Sequence, residues 1–117
     1  MSRSAIDRLH DIVLSAQLVR RHAEGLDAKA FGSNEERRDA ALFRLAILCE
    51  AATHLPADIQ AIASEIPWAD IRGMRNYIVH SYWQIDFGVV LDTIRNDLEP
   101  LMAASTRLIA ILEHAEQ

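Results

Sequence analysis

The sequence predicts an all-α, up-and-down bundle of four principal helices with additional short ones, in one domain over residues 1–117. Apolar residues recur at spacings of three and four in several long segments, which is the periodicity of helices that bury one face. Only three prolines and four glycines interrupt the chain, too few for the many turns of a β-sandwich. A length of 117 residues also suits a single compact domain.

The first half of the chain contains two of the long helices. The first is predicted over about Ser4 to Ala23, with Ser4 or Ser2 as its cap. Its apolar positions at helical spacing are Ile6, Leu9, Val13 and Ala16. The second should begin after Ser33 or Asn34 and end near Leu55. The residues that it is expected to bury are Leu42, Leu45, Leu48, Cys49 and Ala52.

Two short helices and a third long one are predicted around these. The short ones lie at about Asp27 to Phe31 and at Pro56 through Ala63, the latter opening on its proline. The long one starts at Pro67-Trp68 and places Ile71, Met74 and Ile78 on one stripe. Gly73 inside it costs roughly 1 kcal/mol relative to alanine. This glycine predicts either a second backbone packed closely against it or a tolerated accident.

The final helix has the clearest apolar seam. Asp86 is its predicted cap, and Pro100 should bend the helix without ending it. Spacings of three and four alternate along the seam, as in a packed bundle. The residues of this seam are Leu91, Ile94, Leu98, Leu101, Ser105, Leu108 and Leu112.

Composition favours a cytoplasmic protein without a membrane anchor. The single cysteine, Cys49, excludes a disulfide framework and a zinc cluster built on cysteines. Charged residues within the first eight positions leave no room for the apolar core of a secretory signal. The longest apolar run, Leu45 to Cys49, is far shorter than the ~20 residues needed to span a bilayer.

Charge gives a mixed indication about nucleic acid. The formal net charge is −5, yet eleven of the twelve basic residues are arginine, whose fork binds phosphate in a bidentate manner. Codon bias explains the same preference without any function. Positive charge is concentrated in the first 23 residues and negative charge after Gln84. An RNA-binding function therefore requires Arg72, Arg75 and part of the basic N-terminal segment to gather at one groove.

No metal site is predicted. Asp7, His10 and Asp11 share one helix face, but the motif occurs once, whereas carboxylate-bridged bundles need matched motifs on two helices. Glu50 and His54 are four residues apart and are expected to form a surface or groove pair.

Most of the large amphipathic side chains are concentrated within seven residues, at Tyr77, Tyr82 and Trp83. Such rings are enriched in subunit interfaces. Homodimerisation through this region is therefore expected.

A cluster around His80 carries the chemistry most suited to phosphodiester transfer. Near its working pH an imidazole can take a proton from a ribose 2′-hydroxyl or give one to a leaving oxygen. An arginine such as Arg75 can hold the non-bridging oxygens as charge develops, with Arg72 nearby and Asn76 orienting His80. A buried Arg–His–Tyr network that only stabilises a dimer is the structural alternative.

Helical geometry separates the two principal candidates. Arg75 and His80 are five residues apart, so on an unbroken helix they point about 140° away from each other. Either the helix loosens at Val79 to Ser81, or the site is assembled across a two-fold axis. The second option also supplies two histidines, one as base and one as acid.

The motif Arg75-x4-His80-x-Tyr82 resembles the signature of HepT-like toxins in the HEPN (higher eukaryotes and prokaryotes nucleotide-binding) superfamily. The surrounding Ile66-Pro67-Trp68, Gly73-Met74-Arg75-Asn76 and Asn96-Asp97-Leu98 look like the same family, as does Glu50-Ala51-Ala52. The likeness covers most of the chain. Cys49 and Ser81 depart from it, because many relatives carry glycine at both places.

The resemblance implies the toxin of a type VII toxin–antitoxin pair: a dimeric, metal-independent endoribonuclease without a cofactor. It implies Arg75 and His80 as the catalytic pair and Asn76 as a polar helper. It also implies a nucleotidyltransferase antitoxin that transfers AMP from ATP to Tyr82, which places an anion where RNA phosphate must lie. Two alternatives remain: a non-catalytic HEPN module that binds a nucleotide or partner, and a scaffold that is only a substrate of the nucleotidyltransferase.

Overall fold

The computed structural model describes residues 4–116 and contains six α-helices and one 3-10 turn in that range. The helices are α1 (Ala5–Ala23), α2 (Ala28–Ser33), α3 (Glu35–Thr53), α4 (Ala57–Ile62), α5 (Trp68–His80) and α6 (Phe87–Ala115). The 3-10 turn, Tyr82–Gln84, connects α5 to α6. No strand occurs between residues 4 and 116, so the predicted all-α class is confirmed. None of these helices is long and apolar enough to cross a bilayer.

Side-chain caps fix the starts of α1, α3 and α6 where the sequence places them. Ser4 accepts a hydrogen bond from the backbone of Asp7, and the Asp7 side chain accepts one from the backbone of Ser4, forming a capping box. Asn34 caps α3 and Asp86 caps α6 by accepting backbone N–H groups of the first turn. Three predicted starts are thereby confirmed, while Ser2 lies outside the described residues.

The core lies where α1 packs against α3 and α6, and α5 packs against α3. All five residues predicted to be buried on α3 are buried. On α6 the predicted seam is buried from Leu91 to Leu108, and Leu112 is half-buried. On α1 the predicted Leu9 and Ala16 are buried, together with Ile12 and Val19, whereas Ile6 and Val13 are half-buried.

The predictions for Pro100 on α6 and for Gly73 on α5 have different outcomes. The α6 helix runs through Pro100 without ending, as predicted. A Cβ added at Gly73 would meet no atom within 4 Å, so no backbone of the described chain packs closely there. Within one chain, the prediction of a close second backbone at Gly73 is therefore wrong, because this face of α5 is exposed rather than turned toward α3.

Candidate functional site

The α5 helix is continuous through His80 and ends at Ser81, its C-cap. No loosening before His80 brings its imidazole toward Arg75, and the helical period leaves the two side chains about 140° apart. One of the two geometries considered for this pair is thereby removed. A single chain does not bring Arg75 and His80 to one point.

Arg75 is held by α3. Its Nε donates a hydrogen bond to Glu50 Oε2 at 2.9 Å, and its Nη1 donates to Asn76 Oδ1 at 3.3 Å. Glu50 also lies 3.3 Å from His54 Nδ1, so the predicted Glu50–His54 pair is confirmed. The Glu50–Arg75 ion pair, between residues 25 positions apart, was not foreseen from the sequence. Its only signal there was the family likeness at Glu50.

His80 and Arg72 lie on the exposed side of α5. Within residues 4–116 neither makes a hydrogen bond or an ion pair. Asn76 shares this exposed side, but its amide oxygen accepts from Arg75, and the expected Asn76–His80 hydrogen bond is absent from the described chain. The imidazole is therefore open to solvent and available to a ligand.

Tyr82 lies in the 3-10 turn, and its hydroxyl donates a hydrogen bond to Asp39 Oδ1 at 2.8 Å. The ring is 40% exposed and meets Trp83 edge-on at 5.6 Å, while Trp83 itself is 92% exposed. The hydrogen bond to Asp39 raises the pKa of the Tyr82 hydroxyl above its usual range. Arg38 and then Tyr82, as hydrogen-bond donors, lower the pKa of the Asp39 carboxyl.

A well-formed groove lies beside these residues rather than around them. It encloses about 590 Å³ between α3, α5 and α6, and its floor is apolar. Arg75, His80 and Tyr82 do not line it. Residues that line it include Leu45, Cys49, Ile71, Met74, Leu98 and Leu101. The groove offers a surface for apolar contact, whereas the candidate residues Arg75, His80 and Tyr82 lie outside it.

The basic residues of α1 do not all gather beside Arg72 and Arg75. Arg20 pairs with Glu99 of α6, because α1 packs against α3 and α6. The expected gathering of basic residues therefore does not include Arg20. No group of three or more histidine, cysteine or acidic side chains suited to a metal ion occurs in the part of the chain that the structure describes.

Comparison with known proteins identifies relatives of this chain and a family whose model it matches. A protein of Thermococcus cleftensis named "Probable ribonuclease HepT" is 28% identical over 108 residues, covering 92% of this chain and 98% of the relative. A protein of Methanocaldococcus jannaschii named "Putative RNase MJ1380" is 29% identical over 90 residues, covering 77% and 83% of the two chains. No solved structure matches the chain significantly. The "Ribonuclease HepT-like" family model matches residues 5–108, and the chain therefore belongs to the HepT-like ribonuclease family.

Proposed function

We propose that this protein is a toxin that cleaves RNA at internal phosphodiesters without a metal ion, with Arg75 and His80 as its catalytic pair. The observation that carries the proposal is on α5. The Glu50 carboxylate holds Arg75 in place. Five residues later on the same helix, the exposed His80 imidazole has no partner among residues 4–116. A mobile, solvated arginine would lose more conformational entropy on binding phosphate than one already oriented by Glu50.

The proposed cleavage uses the ribose itself as nucleophile. His80 takes the proton of the 2′-hydroxyl, whose oxygen then attacks the adjacent phosphorus. The bond from phosphorus to the 5′-oxygen breaks, and a second imidazole protonates that oxygen. The products are a 2′,3′-cyclic phosphate and a 5′-hydroxyl. Arg75, with Arg72 nearby, stabilises the negative charge that develops on the non-bridging oxygens.

A homodimer completes this site in the proposal. One chain holds Arg75 and His80 apart on α5 and supplies one histidine to the cleft, whereas two chains supply an acid and a base. Large apolar side chains are exposed on α3, on α5 and in the turn after it, with Phe43 63%, Val79 49% and Trp83 92% exposed. The apolar groove beside α5 adds surface that pairing would remove from water. We place this dimer in the cytoplasm.

The proposed partner is a nucleotidyltransferase antitoxin that transfers AMP to Tyr82. The exposed Tyr82 ring follows His80 by two residues, so an added phosphodiester would bring an anion next to the catalytic face. That anion repels an RNA phosphate and competes for the same arginines. Modification would thereby switch the ribonuclease off.

The test is RNA cleavage with EDTA present, followed by analysis of the 3′ ends. His80→Ala and Arg75→Ala should each lower the cleavage rate at least about 100-fold and relieve growth arrest, because each removes a group used in the transition state. His10→Ala on α1 and Arg95→Ala on α6, both at exposed positions, are the matched controls. Full activity in either α5 variant would remove that residue from the mechanism.

A non-catalytic module that binds a nucleotide or a partner is the second candidate. The net charge of −5 favours it, since an acidic protein binds an RNA backbone weakly. Absence of cleavage by the unmodified protein at micromolar concentration would support this reading. Modification of Tyr82 without any cleavage would instead identify a scaffold for the nucleotidyltransferase.

A further inference from the structure

Arg38, Asp39 and Tyr82 form a contact network that joins the start of α3 to the turn after α5. Arg38 Nε donates to Asp39 Oδ1 at 3.0 Å, and the Tyr82 hydroxyl donates to the same oxygen at 2.8 Å. Asp39 and Tyr82 are 43 positions apart, so the packing of the chain brings them together. The phenol is thereby aimed at a carboxylate rather than at water.

The arginine of this network is fixed by the body of the fold. Its guanidinium lies over the Phe87 ring, 5.5 Å from the centroid, and its Nη1 donates to the carbonyl oxygen of Gly32 at 2.8 Å. Its side chain is only 17% exposed, whereas that of Asp39 is 52% exposed. A half-buried arginine thus orients a carboxylate that an incoming reactant can still reach.

The charges of the network set its resting protonation, with the proton on Tyr82 and the negative charge on Asp39. Arg38 keeps the pKa of the Asp39 carboxyl low, so Asp39 is a carboxylate at neutral pH and can accept a proton. The pKa of the Tyr82 hydroxyl is raised, so its proton is present at rest. Arg38 opposes that rise, because its positive charge favours the phenolate. It can therefore steady the phenol oxygen as negative charge develops there.

We propose that Asp39 is the proton acceptor for nucleotide transfer to Tyr82, with Arg38 as its positioning residue. This inference rests on the proposed modification of Tyr82. The phenol oxygen forms a bond to the α-phosphorus of ATP held by the nucleotidyltransferase, and the bond from that phosphorus to the bridging oxygen breaks. Pyrophosphate leaves, and the hydroxyl proton passes to the Asp39 carboxylate and from there to solvent.

The hydrogen bond to Asp39 favours Tyr82 over Tyr77 as the acceptor of AMP. Tyr77 is half-buried, and its hydroxyl accepts a hydrogen bond from the backbone N–H of Asp86 at 2.7 Å. No carboxylate between residues 4 and 116 accepts a hydrogen bond from it. Tyr82 alone therefore combines exposure with a neighbouring base.

The experiment measures single-turnover transfer of AMP from ATP to the full chain, catalysed by the proposed nucleotidyltransferase antitoxin. Intact mass and peptide analysis identify the modified residue. Asp39→Asn keeps an oxygen that accepts the phenol hydrogen bond but removes the base, so the transfer rate should fall at least about 100-fold. Asp39→Glu restores a carboxylate and should recover at least about tenfold over Asp39→Asn. Asp92→Asn, the same change at an exposed position of α6, should leave the rate unchanged.

RNA cleavage and a thermal melt of each variant show that the chain is folded, since Asp39 is outside the proposed cleavage machinery. A phenol titration in a Tyr77→Phe background, where Tyr82 is the single tyrosine, should show a lower pKa after Asp39→Asn. Transfer to Asp39→Asn at the rate of Asp92→Asn would overturn the role of Asp39 alone. Absence of AMP on wild-type Tyr82 would reject the modification itself, and the role of Asp39 with it, without touching the cleavage result.

Discussion

Cys49 illustrates how burial controls the chemistry of one residue. It is 2% exposed beneath the groove, and burial raises the pKa of its thiol to about 12. A thiol reacts as its thiolate, so the folded protein holds Cys49 in its unreactive form at pH 8. The departure from the family pattern at this position is therefore a change of core packing rather than of chemistry.

This burial predicts how Cys49 responds to a thiol reagent. At pH 8 the native protein should react with Ellman's reagent far more slowly than the same protein in urea, where the thiol pKa returns to about 8.5. The raised pKa also means that stability is lost as pH rises above about 8.5, since only the unfolded thiol ionises there. The absorbance of the dye released by the reaction measures the labelling rate of the native protein and of the protein in urea. Fast labelling without urea would show that the groove opens to expose its floor.

At the scale of elements, α5 is the long helix that buries least, with Ile78 as its one buried residue. It contacts α3 on one side and leaves Arg72, Gly73, Asn76 and His80 exposed on the other. A helix with an exposed polar and small-residue side tolerates substitutions there unless a second molecule covers it. Gly73 is the sharpest probe of this face, because a Cβ there meets nothing in the chain.

Gly73→Ala should raise the free energy of unfolding by about 1 kcal/mol, because alanine has the higher helix propensity and the site has room. Urea denaturation at low protein concentration measures this change. Gly25→Ala is the matched control: the space is equally open, but φ is +76°, so a Cβ is strained and stability should fall by about 1 kcal/mol. A loss of stability in Gly73→Ala that grows with protein concentration would instead place a partner helix against this face.

At the scale of the whole molecule, one chain carries the candidate residues Arg75, His80 and Tyr82 without closing a site around them. The buried core joins α1, α3 and α6, while the groove beside α5 and the exposed ring of Trp83 remain uncovered in the single chain. Pairing two copies would cover apolar surface and supply both an acid and a base, which is why the proposed cleft belongs to a dimer.

Mixed dimers test this assembly. Wild-type chains refolded with an equal amount of His80→Ala give about one quarter wild-type dimers, one half mixed and one quarter variant, if pairing is random. Because cleavage is proposed to need both histidines, activity should fall to about a quarter of that of an equal total amount of protein in which every chain is wild-type. A mixture with His10→Ala should keep full activity. A value near one half would indicate two independent sites.

The sequence by itself determined the helices, their caps, most of the core and the family motif, because helical periodicity and capping depend on residues within a few positions of each other. Asn34, Asp86 and the seam of α6 are cases in which local pattern and structure agree. Only the tertiary structure decided which side chains meet across helices. Glu50 reaches Arg75 over 25 positions and Asp39 reaches Tyr82 over 43. The rotation of one packed helix against another selects such pairs, and that rotation depends on the whole core rather than on any short segment.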